Sequence, residues 1–106
     1  MALGSDWPVA SPNPCLNLHV AINRRGFHES PGKYFNPGEG LPPFIAVRAA
    51  THGWATAAGS TDSRGAVATG KNADLTVVSG VSDDLGDWSK AKIEMTVSRG
   101  EVVYRY

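Results

Sequence analysis

Cysteine, which could stabilise a small chain through disulfides, is nearly absent from this sequence of 106 residues. It contains one cysteine, Cys15, so no disulfide can form within the chain. A lone thiol suits a reducing compartment, and we expect a cytoplasmic location. Cys15 lies between Pro14 and Leu16 with no base beside it, which indicates a structural thiol rather than a nucleophile.

An excess of charge of either sign is also lacking. Ten Lys and Arg residues balance ten Asp and Glu residues, and Arg24-Arg25 is the only basic doublet. Without a basic stripe or an acidic tail, we expect no nucleic-acid partner. No run approaches the roughly 20 apolar residues of a membrane span, and the opening residues lack the pattern of a secretory signal. We therefore expect no membrane partner.

Large apolar side chains are scarce as well. The hydrophobic fraction is 42%, but alanine supplies much of it, and Leu, Ile, Val and Phe together lie close to the roughly 20% below which a core is hard to build. Twelve glycines and seven prolines favour turns and loops. The length allows one small domain, and we expect its core to be thin.

The first half of the sequence is helical in pattern. Asn13 can cap a helix with Pro14 at its first position, and Leu16 and Val20 follow at helical spacing, which predicts a helix over 14–25 ended by Gly26. Residues 26–43 are irregular in composition. A second helix is predicted over 44–58, ended by Gly59, from an apolar stripe at three- and four-residue steps: Phe44, Val47, Thr51, Trp54 and Ala58.

From residue 60 the pattern changes to that of β-structure. Leu75 and Val77 share one face of a predicted strand within 73–79, and residues 80–90 form a polar loop. Apolar residues then alternate with polar ones over 93–98, and Arg99-Gly100 provides a turn before the chain returns over 101–106. This pattern predicts a β-hairpin.

Residues able to carry chemistry are few. His19, His28 and His52 have no shared metal-ligand spacing, so we interpret each as a surface or core residue. Gly4-Ser5-Asp6 instead places a carboxylate after an apolar run, which in a β/α barrel is where catalytic groups project. Asp6 could contact a metal and take a proton from water; the alternative is that Asp6 only caps the turn before Trp7-Pro8.

The order of the motifs carries a family resemblance. They resemble the end of a metal-dependent amidohydrolase, and are most similar to the branch containing N-substituted formamide deformylases. The resemblance covers nearly the whole chain and is weakest over 26–43 and 80–90. The motifs are G-S-D-W-P-V at 4–9, S-P-N-P at 11–14, A-V-R-A-A-T at 46–51, A-x-A-x-x-G ending at Gly59, G-x-V-x-x-G-K-x-A-D-L at 65–75, and T-V-x-x-G-x-V-V-Y at 96–104.

This resemblance implies an α+β fragment in two parts. Residues 1–59 would be the last strand and helices of a β/α (TIM) barrel, and residues 60–106 the carboxy-terminal strands of a small composite β-sandwich. Asp6 matches the family's aspartate that contacts the catalytic metal and serves as general base toward the attacking water. The complete enzyme would use a divalent metal, with zinc expected, and would cleave a C–N bond in a small amide or formamide. Asp74 falls in a family motif, but we interpret it as structural, because an acid beside a turn can accept local backbone N–H groups.

The departures from the family are large. Its H-x-H pair, its metal-bridging Lys or acid and its two later histidine ligands would all precede Met1. We therefore expect the chain alone to be inactive and metal-free, with the missing barrel portion as its partner, and the substrate-binding residues stay unidentified. Two alternatives remain open at this point: a non-catalytic binding or assembly module, and a hydrolase half complemented in trans by a barrel chain.

Overall fold

The structure, a computed structural model, describes residues 1–26 and 32–106. Helical segments come first and strands follow, which agrees with the predicted α+β content; the barrel and the composite sandwich stay predictions. In chain order the elements are α1 (Pro14–Asn23), a 3₁₀ turn (Pro37–Glu39), α2 (Pro43–Arg48), a π-helical segment (Ala49–Gly53), α3 (Trp54–Ala57), β1 (Leu75–Ser79), β2 (Lys92–Ser98) and β3 (Glu101–Arg105).

Helix α1 begins as the sequence predicts. The Asn13 side chain accepts a hydrogen bond from the Cys15 N–H at 2.9 Å, and proline occupies the first helical position. The predicted extent to residue 25 is wrong, because Arg24 takes a left-handed φ of 52° and its N–H donates to the Val20 carbonyl at 2.8 Å. This cap ends the helix at Asn23.

The buried face of α1 also differs from the prediction. Cys15 and Leu18 are buried and Ile22 packs beside them, whereas Val20 is 40% exposed. Positions i, i+3 and i+7 lie on one side of a helix, so Cys15, Leu18 and Ile22 form a single apolar face. The predicted pair, Leu16 and Val20, does not define that face.

The second predicted helix exists, but it is interrupted. Segments α2, the π-helical segment and α3 follow one another without a break from residue 43 to residue 57. The buried side consists of alanines, namely Ala46, Ala49 and Ala55, while Phe44 and Trp54 of the predicted stripe are 67% and 48% exposed. Among the residues that the structure describes, no helix has the length and apolar character to cross a membrane.

The strands form one antiparallel sheet in the order β1-β2-β3. Arg99 and Gly100 have φ of 51° and 86°, which confirms the hairpin turn predicted there. Leu75 lies opposite Val97, and Val77 opposite Met95. A bulge between Val77 and Val78 then brings Val78 opposite Ile93, so the apolar residues of both strands share one face.

The core lies where α1 and α2 meet one end of this sheet. Its buried members are Cys15, Leu18, Ala46 and Trp88, with Val78, Ile93 and Leu3 among the partly buried residues packed against them. The radius of gyration is 14.4 Å, against the about 13 Å expected for a compact domain of this length. No large side chain among the described residues is fully buried, so the core is thin, as the composition predicts.

Candidate functional site

Asp6 lies in a tight turn that follows the irregular residues 1–5. Its backbone carbonyl accepts the Val9 N–H at 2.8 Å, and the Ser5 carbonyl accepts the Ala10 N–H at 3.2 Å. Asp6 has a left-handed φ of 49°, a conformation that aspartate tolerates better than most residues. The turn is therefore closed by backbone hydrogen bonds.

The Asp6 side chain takes no part in closing that turn. The residue is exposed, and over residues 1–26 and 32–106 its carboxylate makes no hydrogen bond or ion pair. The alternative in which the side chain caps the turn before Trp7-Pro8 lacks the hydrogen bond that it requires. The carboxylate faces solvent with its lone pairs available to a cation or a proton.

The segment before Asp6 contacts the helical half of the molecule, residues 14–57, through Leu3. The Leu3 N–H donates to the Ala49 carbonyl at 3.2 Å, and the Leu3 side chain packs against the core. The apolar residues before Asp6 were expected to be the end of a strand. They form no strand, because the sheet in the described part of the chain consists of β1, β2 and β3. The helical half therefore determines where the Asp6 turn lies.

The other metal-binding residue types are not gathered around Asp6. The described ranges, 1–26 and 32–106, contain no group of three or more His, Cys, Asp or Glu side chains able to hold a metal ion. His52 lies in the π-helical segment, and His28 falls outside the described residues. Asp6 suits a divalent cation as one oxygen ligand, but one carboxylate does not form a metal centre.

His19 is a buried residue of α1, and its neighbour Asn23 joins this helix to the loop over 80–90. His19 is 3% exposed, and the Asn23 amide lies 3.5 Å from its Nδ1 while donating to the Gly86 carbonyl at 3.0 Å. Burial and the nearby Arg25 lower the pKa of His19, and the Asp87 carboxylate opposes them. A lowered pKa favours the neutral imidazole, and the burial of His19 agrees with its interpretation as a core residue.

Cys15 is equally structural. Its thiol is buried at the start of α1, and burial raises its pKa although the helix N–H partly offsets the effect. A thiol with a raised pKa carries little thiolate at neutral pH and reacts slowly. The interpretation of Cys15 as a structural residue is supported by this environment.

Asp74 has the structural contacts expected of it. Its Oδ1 accepts the Arg99 N–H of the hairpin turn at 2.8 Å, and its Oδ2 lies 3.2 Å from Arg64 Nε. The Gly100 N–H donates to the Ala73 carbonyl at 3.0 Å, beside the first of these bonds. Arg64 is the partner that the sequence analysis missed, because no local pattern links it to a residue ten positions away.

A cleft of about 470 Å³ separates α3 from the sheet. Thr51 and Trp54 line its helical wall and Leu75 its sheet wall, with Arg64 and Asp74 at its polar end. Those two charged side chains are paired with each other, so the cleft offers an apolar surface with little free charge. No sequence pattern indicated this cleft, because its walls come from separate parts of the chain.

A scan against protein-family models matches this chain to the amidohydrolase family over residues 1–104. The chain belongs to the amidohydrolase family. A curated relative, "Putative amidohydrolase YtcJ" of Bacillus subtilis (strain 168), is 36% identical over 103 residues. That match covers 95% of this amidohydrolase chain and 20% of the relative, so the chain spans about a fifth of that protein's length. The assignment to the amidohydrolase family made from the motifs is confirmed, whereas these matches do not support its narrower placement in the branch of N-substituted formamide deformylases.

Proposed function

We propose that this amidohydrolase chain supplies the general base of a metal-dependent hydrolase that cleaves a C–N bond in a small amide or formamide. The observation that carries the proposal is the Asp6 turn. Family membership extends over this segment, and the turn presents a carboxylate that is exposed and has no partner among the described residues. Asp74, the other aspartate of a matched motif, is held by two partners.

Asp6 has two roles in the proposed reaction. An ionised carboxylate can contact a cation through one oxygen and accept a proton from the attacking water through the other. A bound divalent cation, with zinc expected, supplies charge that polarises the substrate carbonyl and acidifies water. Because the described residues contain no group of three or more metal-binding side chains around Asp6, the remaining ligands must come from outside them.

The proposed architecture follows from this incompleteness. Residues 1–59 belong to the end of a β/α barrel, and residues 60–106 belong to a composite β-sandwich that other strands complete. Trp54 and Leu75 line the open cleft and are 48% and 39% exposed; they support this because both are large apolar residues that a further layer would cover. The narrower substrate class, N-substituted formamides, has support only in the order of the motifs.

The test uses a chimera in which residues 1–106 replace the matching segment of the Bacillus subtilis relative. The chimera is assayed on a panel of N-formyl and N-acyl amines, with zinc content and melting temperature measured on the same preparations. Asp6→Asn keeps the shape of the side chain and removes its basicity. Turnover should fall by about 100- to 10,000-fold, while the melting temperature stays nearly constant.

The chain without its partner provides the control. The 106 residues alone should show no turnover on the panel and should retain no stoichiometric zinc after dialysis, as measured by elemental analysis. Near-normal turnover of a folded, zinc-loaded Asp6→Asn chimera would remove Asp6 from the mechanism. A loss of melting temperature with intact turnover per folded molecule would instead favour a purely structural Asp6.

A further inference from the structure

Gly53 lies within a continuous helical run, where glycine is an unfavourable residue. Glycine in a helix interior costs about 1 kcal/mol relative to alanine, so a local reason for its presence is needed. The structure supplies one, because a Cβ added at Gly53 would fall on the Met1 carbonyl oxygen. The carbonyl carbon of Met1 would lie 3.1 Å from that Cβ, and both atoms belong to the backbone.

The same helical turn makes a second contact with the beginning of the chain. The Ala49 carbonyl accepts the Leu3 N–H at 3.2 Å, and Ala49 and Gly53 are the first and last residues of the π-helical segment. Single π-helical turns widen a helix locally and occur often at functional sites. Here the segment forms a contact surface for residues 1–3, which we call the seat. The Ala49 carbonyl accepts the Leu3 N–H at one end, and Gly53 leaves room for the Met1 carbonyl at the other.

We propose that Gly53 is a positioning residue for Asp6. This inference rests on the proposed function, since it assigns to Gly53 the placement of the general base. Leu3 and Asp6 are three residues apart, a span of at most about 10 Å, and two backbone hydrogen bonds close the turn that follows Leu3. A side chain at Gly53 pushes residues 1–3 off their seat, and the Asp6 turn moves with them.

The competing interpretation is that Gly53 is an ordinary helix residue whose neighbour happens to lie close. The two interpretations predict opposite effects of Gly53→Ala on stability. If nothing is positioned at Gly53, alanine there stabilises the helix through its higher propensity. If the seat positions residues 1–3, the same substitution displaces them. The added Cβ meets the Met1 backbone carbonyl, which cannot rotate out of the way as a flexible side chain would.

The first experiment measures amide hydrogen exchange at Leu3 in the 106-residue chain. In Gly53→Ala, the Leu3 amide should exchange faster by about fivefold to tenfold, the factor expected for one lost hydrogen bond, while amides of α1 keep their protection. Gly38→Ala is the matched control, because nothing lies within 4 Å of a Cβ there. Unchanged Leu3 exchange in Gly53→Ala would overturn the proposal.

A second measurement covers the case in which Gly53→Ala fails to fold. The melting temperature of the chimera with the Bacillus subtilis relative is compared for Gly53→Ala and Gly38→Ala. Gly53→Ala should melt at the lower temperature of the two, because only its Cβ meets backbone atoms. A Gly53→Ala chimera that melts at or above the temperature of the parent would contradict the seat.

The third measurement separates this inference from the proposed function. In the chimera with the Bacillus subtilis relative, Gly53→Ala should lower kcat with KM and zinc content nearly constant, because the base is misplaced while the other groups are intact. Faster Leu3 exchange with unchanged kcat would uphold the seat and reject Asp6 as the base. Unchanged exchange with lower kcat would reject Gly53 as the positioning residue.

Discussion

Asp6 and Asp74 are the same residue type, each lies in a motif shared with the amidohydrolase family, and their environments are opposite. Asp74 accepts the Arg99 N–H at 2.8 Å and lies 3.2 Å from Arg64 Nε. The Asp6 carboxylate is exposed and has no partner in the part of the chain that the structure describes. The Asp74 carboxylate joins two segments of the fold, whereas the Asp6 carboxylate is left exposed to solvent.

Membership in a family motif therefore does not say whether a carboxylate is bound within the fold or left exposed. The charge of Asp74 is used within the fold, because a backbone N–H and a guanidinium both stabilise its ionised form. The turn at Asp6 is closed by backbone hydrogen bonds to the Val9 and Ala10 N–H groups. Its side chain is therefore not required for the turn, and this frees the carboxylate.

The largest effect should come from exchanging the two acids for amides in the chimera with the Bacillus subtilis relative. Asp6→Asn should lower turnover by about 100- to 10,000-fold, whereas Asp74→Asn should leave turnover per folded molecule nearly unchanged. Parallel assays and melting curves of the two variants test this contrast. Equal losses of turnover in both variants would end the distinction between them.

Removing the Asp74 carboxylate entirely should cost the next largest amount. Asp74→Ala in the chimera should lower the free energy of unfolding by about 1–3 kcal/mol, since the Arg99 N–H loses a charged acceptor. Arg64→Ala should cost less, about 1 kcal/mol or below, because the Arg64 and Asp74 side chains are 36% and 30% exposed and solvent screens the pair. Denaturant unfolding measures both, and a larger loss for Arg64→Ala would contradict the ranking.

The hairpin that Asp74 holds provides a third test. Gly100 has a φ of 86° with nothing within 4 Å of an added Cβ, so any cost of Gly100→Val is conformational rather than a clash. A β-branched residue in this left-handed region should cost about 1–2 kcal/mol of unfolding free energy. Gly38→Val, at a position with equal space and without a positive φ, is the control. Equal costs at both positions would place the strain elsewhere.

The smallest effect concerns His19, which is buried in α1 one turn before Asn23. Its folded-state pKa is lowered by burial and by Arg25, with Asp87 acting in the opposite direction. The unfolded chain then binds a proton more readily than the folded one, so stability falls as pH drops below about 6.5. The loss stops growing once pH passes below the lowered pKa.

Melting temperatures of the chimera between pH 5 and pH 8 test this dependence, and the variant His19→Gln should flatten the slope relative to the parent. His52→Gln, in the π-helical segment, should retain it. Asp84 and Asp87 have lowered pKa values through hydrogen bonds from Ser82 and Ser89, so their stabilisation is lost only in more acidic solution. A slope that persists in His19→Gln would assign the dependence to other groups.

Local chemistry made several elements predictable from sequence. Asn13 and Pro14 define the start of α1 because capping needs only neighbouring backbone groups. The turn at Arg99-Gly100 follows from glycine's tolerance of positive φ. The candidate site was predictable only as far as Asp6, because the motif identifies the residue and says nothing about its hydrogen bonds.

Other features depended on contacts between distant segments. The apolar stripe through Phe44 and Trp54 suggested a buried face, but alanines occupy that position, with Ala46 and Ala55 both 0% exposed. Small side chains allow close approach, and Gly65 shows this directly, since a Cβ there would lie 2.6 Å from the Ala55 Cβ. Hydrophobic periodicity weights large residues, so it overlooked a face built from small ones.

Residue type and short spacing were enough to indicate the family, the helix cap, the hairpin and the two acids. Which of the acids is bound within the fold, and what Gly53 accommodates, depended on the tertiary structure. Arg64 reaches Asp74 across ten residues, and Met1 reaches Gly53 across more than fifty. Contacts over such separations depend on how the elements pack, and no local propensity encodes them.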